Sequence, residues 1–420
     1  MKNSRWRNIL LGFILTVACQ LYAQPKDTIL NFQETKARLI RSNLGLLASY
    51  YDISIARAAV VQARLWNNPY FVFNGDLYSM ETNEYFHFRN QHLLQIEQTF
   101  SIAGKHTNSV KLAKLGAEMA ERQLEDVLRS LLFEAGLLYS DLAALQEKIR
   151  LYRQVMTGYE KLMTSTRQQL EVGAISVTEA IRLESEYLAV KTEALTIRNE
   201  HEKTIAGLRT LLRMPEDTLF HVEQTIPMML PSFDAATLAD EATSSRPDLQ
   251  LRRTEVSWQE RNLRLQRSVG VPDVKLAYQP RDRGSNYVRP YQGFNVEFSL
   301  PLFNRNQGEI KAAEYNVARS GIEFLQLENQ VRSEVTAACN RYANTNVGLA
   351  NYTPALLERL RQLNESTNEN FRKRNIGLLQ FIDQQRIYIQ TNIQLIELRQ
   401  QFLSTVNELN FAVGKTLIDF

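Results

Sequence analysis

Cysteine is almost absent from this 420-residue chain, with only Cys19 and Cys339 present. Cleavage after Ala23 would leave Cys339 alone, which excludes an intramolecular disulfide and a thiolate cluster for a metal. Net charge is almost absent too. The 49 Lys+Arg against 46 Asp+Glu give +3, and Lys2, Arg5 and Arg7 in the first 23 residues account for all of it. A nucleic-acid partner requires a basic surplus in the folded part, so none is expected. No run of 18 consecutive apolar residues occurs downstream of the leader, so no transmembrane helix is expected. Gly-x-Ser-x-Gly, a phosphate-cradling glycine loop and a zinc-binding helix motif are all missing, and an enzyme or a cofactor is not expected. At 44% hydrophobic and 23% charged, the chain is nonetheless globular in composition.

The first residues have the layout of a secretory signal. Lys2, Arg5 and Arg7 precede the apolar stretch Ile9–Ala18, and Leu21-Tyr22-Ala23 offers a small residue for cleavage before Gln24. The apolar centre is too short to span about 30 Å of hydrocarbon, which takes about 20 residues. Cys19 after Ala18 is the alternative processing point, a lipidation site. An exported chain without a membrane helix is either soluble or part of an outer-membrane barrel.

Proline is confined. None occurs between Tyr70 and Met214, and only Pro354 occurs after Pro301. Such stretches permit very long helices. In the first of them Leu112, Leu115, Met119, Leu124, Leu128 and Leu131 begin an apolar stripe, mostly at three- and four-residue spacing, that continues to Ile149. Helices are expected from Gly104 to about Glu171, from Val177 to Arg213, from Gly308 to Arg374 and from Leu378 to Gly414. The first would be about 100 Å long at 1.5 Å per residue, so it needs partner helices along its flank.

The two halves repeat each other. Leu94–Ile102 aligns with Phe294–Leu302 at an offset of 200, as does Val110–Ala113 with Ile310–Ala313. Gly173-Ala174-Ile175 aligns with Arg374-Asn375-Ile376 at 201. Three matches in order at nearly constant spacing identify a duplication. The division is a leader over 1–23, a first repeat over 24–214, a linker over 215–246 and a second repeat over 247–420.

Around residues 94 and 294 the residues alternate. Leu94, Ile96, Phe100, Phe294, Val296, Phe298 and Leu300 fall on one face, interrupted by Gln98. Gln95, Glu97, Thr99, Asn295, Glu297 and Ser299 fall on the other. Period-two alternation predicts strands with one apolar and one wet face. Upstream partners are expected at Tyr70–Leu77 and Asp273–Tyr278, joined through the polar segments Tyr78–Asn90 and Gln279–Gly293. Four strands cannot close a barrel, and an open edge in lipid leaves backbone groups unpaired. If the apolar face meets lipid, several chains must combine their strands.

Taken together these residues resemble the outer-membrane efflux family, the TolC-like channels. Leu170–Ser176, with its Val-Gly-Ala, and Phe371–Asp383 resemble the family's two helix-hairpin tips. Gln98-Thr99-Phe100-Ser101-Ile102-Ala103-Gly104-Lys105 resembles the strand-to-helix junction of the branch serving heavy-metal pumps. The resemblance implies a mainly α fold with a small β part. Three chains would close a twelve-stranded outer-membrane β-barrel, continued through the periplasm by an α-helical barrel. It implies outer-membrane lipid around the barrel, a periplasmic adaptor (membrane fusion protein) and an inner-membrane resistance-nodulation-division pump as partners.

Roles follow from the same resemblance. Val172, Gly173 and Ala174, with Asn375, Ile376 and Gly377, correspond to the tips that meet the adaptor, although Arg374 stands where the family often has Gly. Gln380 and Asp383 correspond to the periplasmic gate, with Glu179 and Arg182 as first-repeat counterparts that could hold it shut by an ion pair. Gln95, Glu97, Asn295 and Glu297 would line the barrel lumen, and Leu94, Ile96, Phe294, Val296 and Phe298 would face lipid. His87 and His92 lie near Glu81 and Glu84, but the spacing fits no pair of ligands, and no metal site is expected. The cargo is heavy-metal cations, with multidrug export as the alternative. A periplasmic coiled-coil tether is the competing reading, but it has no use for an apolar strand face.

Overall fold

The computed structural model describes residues 28–75, 77–80, 83–86, 92–218, 220–223, 231–282, 289 and 291–419. The leader with Cys19, the pair Met228-Met229, Glu81 and His87 lie outside them.

Long apolar stripes make long helices. Short helices Phe32–Ser42 (α1) and Leu44–Arg64 (α2) lead to Lys105–Glu171 (α3), a single helix of 67 residues, and Val177–Leu212 (α4). The second half mirrors this with Ala235–Ser245 (α5), Pro247–Val269 (α6), Gln307–Ala350 (α7), Pro354–Arg372 (α8) and Leu378–Val413 (α9). The expected helix from Gly308 to Arg374 is therefore two helices. Thr353 is the N-cap of the second, its hydroxyl accepting from the Leu356 amide, and Pro354 takes the first helical position. A proline costs nothing there because its missing N–H would have had no partner, so it starts a helix rather than sitting inside one.

α2 departs from the expectation of no membrane-length helix. Among the described residues it is the one helix long and apolar enough to cross a membrane by length and composition. Asp52 and Arg57 break its apolar run in the sequence. It packs along α3, where Arg57 pairs with Glu121 at 2.7 Å.

Three apolar clusters hold the helices together. One joins α1, α3 and α4 through Leu39, Tyr139, Leu142, Leu208 and Leu212. A second joins α5, α7 and α9 through Val331, Tyr342, Phe402 and Val406. The third lies towards the hairpin tips and gathers Tyr159, Leu183, Phe381 and Tyr388. Each fully buried leucine in these clusters is worth about 1.5–3 kcal/mol. Where α3 packs against α9, Gly136 leaves room for Asn407, whose side-chain amide donates to the Phe133 carbonyl at 2.7 Å. A Cβ at Gly136 would overlap that side chain.

The strands are Thr28–Leu30 (β1), Tyr70–Gly75 (β2), Tyr78–Ser79 (β3), Glu84–Tyr85 (β4), His92–Phe100 (β5), Phe220–Val222 (β6), Val274–Asp282 (β7) and Tyr291–Phe298 (β8). The two expected hairpins merge into one antiparallel sheet ordered β2-β5-β7-β8. β7 runs four residues beyond the expected Tyr278. It does so through a shift in register, since Leu94 faces Arg281 whereas Ile96 faces Tyr278. Pro280 sits in that irregularity, where the amide it lacks is not needed by the ladder. The parallel pair β1–β6 and the small hairpin β3–β4 were not foreseen. Tyr139 ties down the first of them: its hydroxyl donates to the Leu30 and Glu223 carbonyls. Burial pushes that phenol up to about 12.

Candidate functional site

The four-stranded sheet separates its side chains as the alternation requires. Across the strands Phe71, Ile96, Tyr278 and Phe294 fall in one row. Gln98, Leu276 and Val296 make the next, and Phe100, Val274 and Phe298 a third. Leu94 lies on the same face, opposite Phe73. Phe71, Ile96, Phe294, Val296 and Phe298 are all about half exposed or more, an apolar surface that none of the described residues covers. Gln98 is accommodated in this row by donating to the Asn67 and Thr99 carbonyls at 2.9 and 3.1 Å.

The opposite face is polar. Glu97, Ala277 and Asn295 make one row, and Thr99, Lys275 and Glu297 the next. The Lys275 ammonium lies 3.6 Å from Glu97 and 3.4 Å from Glu297, joining carboxylates of two strands. Gln279 donates to the Gln95 side-chain carbonyl at 2.9 Å. Gly293 opposite makes room for it, because a Cβ there would overlap the Gln279 amide. Lys275 and Gln279 escape a sequence search that follows only the duplicated strands, since they lie on β7, whose alternation Pro280 interrupts.

At the far end the two helix hairpins end in matching turns. Gly173 has φ +69° and Arg374 φ +61°, both left-handed. The Gly173 amide donates to Leu170 and the Ala174 amide to Gln169; in the second tip Arg374 donates to Phe371 and Asn375 to Asn370. The structural counterparts of Val172, Gly173 and Ala174 are thus Lys373, Arg374 and Asn375. Ile376 is half-buried in the apolar cluster between the tips, and Gly377 is the N-cap of α9. Val172, Gly173, Ala174 and Asn375 are exposed. A crevice of about 280 Å³ separates the tips, lined by Leu162, Ala174, Ile175, Phe371, Ile376 and Leu378.

The expected gate pair does not form within one chain. Gln380 and Asp383 are exposed on the first turns of α9, and neither Asp383 nor Arg182 has an ion-pair partner among the described residues. Glu179 is occupied instead by a capping box. Its carboxylate accepts from the Ser176 amide at 3.0 Å and the Ser176 hydroxyl at 3.1 Å, and these bonds hold it below the usual carboxylate range. Ion pairs between the hairpins are made instead by Arg386 with Glu186, at 2.8 Å, and further along by Lys148 with Glu397, at 2.8 Å.

Sequence reasoning missed a charged knot at the middle of the molecule. Arg246, only 3% exposed, binds Asp248 at 2.6 Å and Glu334 at 2.7 Å and donates to the Ala412 carbonyl at 3.1 Å. Arg129 binds Asp248 at 3.1 Å, donates to the Phe411 carbonyl at 2.9 Å and stacks its guanidinium 4.1 Å from the Phe411 ring. Two guanidiniums thereby cap the last carbonyls of α9, where a positive charge is favoured. The available signal was Arg246-Pro247-Asp248, a proline and an acid opening a helix.

Among the described residues no group of three His, Cys, Asp or Glu side chains could hold a metal ion.

An exposed apolar sheet face is thus set on a bundle of very long helices. The family model for "Outer membrane efflux protein" matches residues 37–212. No curated protein matches the sequence. Among solved structures, the Campylobacter jejuni CmeC outer membrane channel is similar with a TM-score of 0.77 at 12% identity, over 92% of this chain and 87% of that one. The Vibrio cholerae outer membrane protein VceC gives 0.73 at 14% identity, over 92% and 97%. A structure of CusC, solved in work on transmembrane channel formation, gives 0.71 at 15% identity, over 94% and 96%.

The family model matches much of the first repeat, and the whole chain shares the fold of these outer membrane channels.

Proposed function

We propose that three copies of this chain close a twelve-stranded barrel, four strands from each, and form the outer duct of a tripartite efflux system. The observation that carries this reading is the sheet. Its apolar face is exposed, and the outer edges of β2 and β8 have no neighbouring strand among the described residues. In lipid both features require further copies, because an unpaired edge there costs several kcal/mol per backbone group. Phe294, Val296 and Phe298 would then meet lipid, while Gln95, Glu97, Asn295 and Glu297 line the lumen.

The helix tips around Val172–Ala174 and Asn375–Gly377 are the surfaces for a periplasmic adaptor, which links the duct to an inner-membrane resistance-nodulation-division pump. Asp383, exposed and without an ion-pair partner among the described residues, would form a ring of three around the periplasmic mouth. The cargo is heavy-metal cations, on the likeness of Gln98–Lys105 to the metal-pump junction. Multidrug export is the second reading, favoured by the polar wall.

The test is growth of a deletion strain across divalent metals and, separately, dyes, detergents and antibiotics. Selective sensitivity to zinc, cobalt, cadmium or copper is expected. Sensitivity confined to drugs and detergents would remove the metal assignment and leave the duct intact.

A further inference from the structure

The polar face of the sheet holds three charges within two adjacent rows. Lys275 lies directly opposite Glu297 in the β7–β8 register, and its ammonium reaches Glu97 of β5 on the other side. A salt bridge this open contributes little to stability: Lys275 is 43% and Glu297 69% exposed at the side chain. The arrangement has a stronger consequence for ions. Two carboxylates on either side of one strand repel each other, and a divalent cation is the species that would draw them together. The tethered ammonium already occupies that seat, and it leaves one net negative charge per chain.

We propose that Lys275 is the residue that sets ion selectivity in the duct: its ammonium fills the cation seat between Glu97 and Glu297, so that the wall attracts cations without capturing divalent ones. This rests on the reading that the polar face lines the lumen. Around a closed trimer the level would carry six carboxylates and three ammonium groups. The net charge is enough to favour cations in a confined aqueous path, where fixed charges act within about 10 Å at 0.1 M salt. Without the lysine the same level becomes a ring of paired carboxylates with oxygen ligands for a divalent metal.

The experiment is planar-bilayer recording of the purified full chain, reading reversal potential in a KCl gradient and current with added Zn²⁺. Wild type is expected to be weakly cation-selective and indifferent to Zn²⁺. Lys275→Met is expected to raise the cation-over-anion permeability ratio about threefold and to lose half or more of its current to Zn²⁺. Lys275→Arg should behave as wild type. Glu297→Gln, an exposed change that spares the fold, should abolish the cation preference even if Lys275→Met does not assemble. Conducting pores whose selectivity is unmoved by Lys275→Met, or by Glu297→Gln, would overturn the inference and leave the duct standing. A wild-type chain that forms no pore would overturn the duct and the inference together.

Discussion

Gly173 and Arg374 hold the same place in the two tips, and both adopt a left-handed backbone. Only glycine does so without a steric cost, which for other residues is about 1–2 kcal/mol. Gly173→Val should therefore lower stability by about that amount. Arg374→Gly should be neutral or stabilising by less than about 1 kcal/mol, since the gain in the folded turn is offset by a more flexible unfolded chain. Thermal unfolding of the two variants checks both. The first tip was legible because glycine announces its conformation. The second was aligned in the right register, Arg374 with Gly173, but the residues named as its tip, Asn375 to Gly377, begin two positions beyond the counterpart of Val172, because an arginine does not announce the turn. Tyr159 offers another residue-scale test. Its hydroxyl is buried in the third cluster with no hydrogen-bond partner, and its ring packs 5.9 Å from Phe381. Tyr159→Phe keeps the packing and removes the unpaired group, so it should raise stability by about 1 kcal/mol rather than lower it. A loss of melting temperature in that variant would contradict the burial described.

Between elements, the knot of Arg246, Asp248, Glu334 and Arg129 joins the start of α6 to α3, α7 and the end of α9. Burial alone would raise the Asp248 carboxyl, but the Arg246 hydrogen bonds and the Arg129 charge outweigh it and hold it below the ordinary aspartate value. A carboxyl lower in the folded state contributes stability above its unfolded value of about 3.9. That contribution is lost as pH falls through the folded value. Melting temperature should be level from about pH 7 to 5 and decline below about 4, with Asp248→Asn losing part of the decline. At neutral pH Asp248→Asn leaves the buried Arg246 guanidinium poorly compensated and should cost about 3 kcal/mol. Elements of this size were legible where periodicity ran unbroken, as from Leu112 to Ile149. They were not where one residue changed its meaning with position: Pro354 reads the same inside a helix as at its first turn, and Pro280 reads as a strand stop yet sits in a bulge. The short pair β1–β6 had no signal, since three residues are too few for a period.

For the whole molecule, the duplication, the long helices and the amphipathic strands were all readable, because each follows from a spacing repeated many times. The merging of two hairpins into one sheet was not, since register across β5 and β7 depends on residues almost 200 positions apart. The gate was also beyond reach. Glu179 looked available for an ion pair, but its nearest donors are on Ser176, three residues away. Asp383 thus has no ion-pair partner among the described residues of its chain, and a ring of three would depend on the copies around it. Asp383→Ala should relieve repulsion among three carboxylates at the mouth and change both conductance and antibiotic entry. Unaltered values in that variant would remove Asp383 from the gate.

The assembly itself is tested most directly by the native mass of the protein extracted in mild detergent from an outer-membrane fraction. Three copies moving together and resisting dissociation on heating is the predicted result, because only further copies can pair the edges of β2 and β8 and close the apolar face into a ring. A single copy recovered from the soluble periplasm would contradict it, and with it the barrel on which the duct depends.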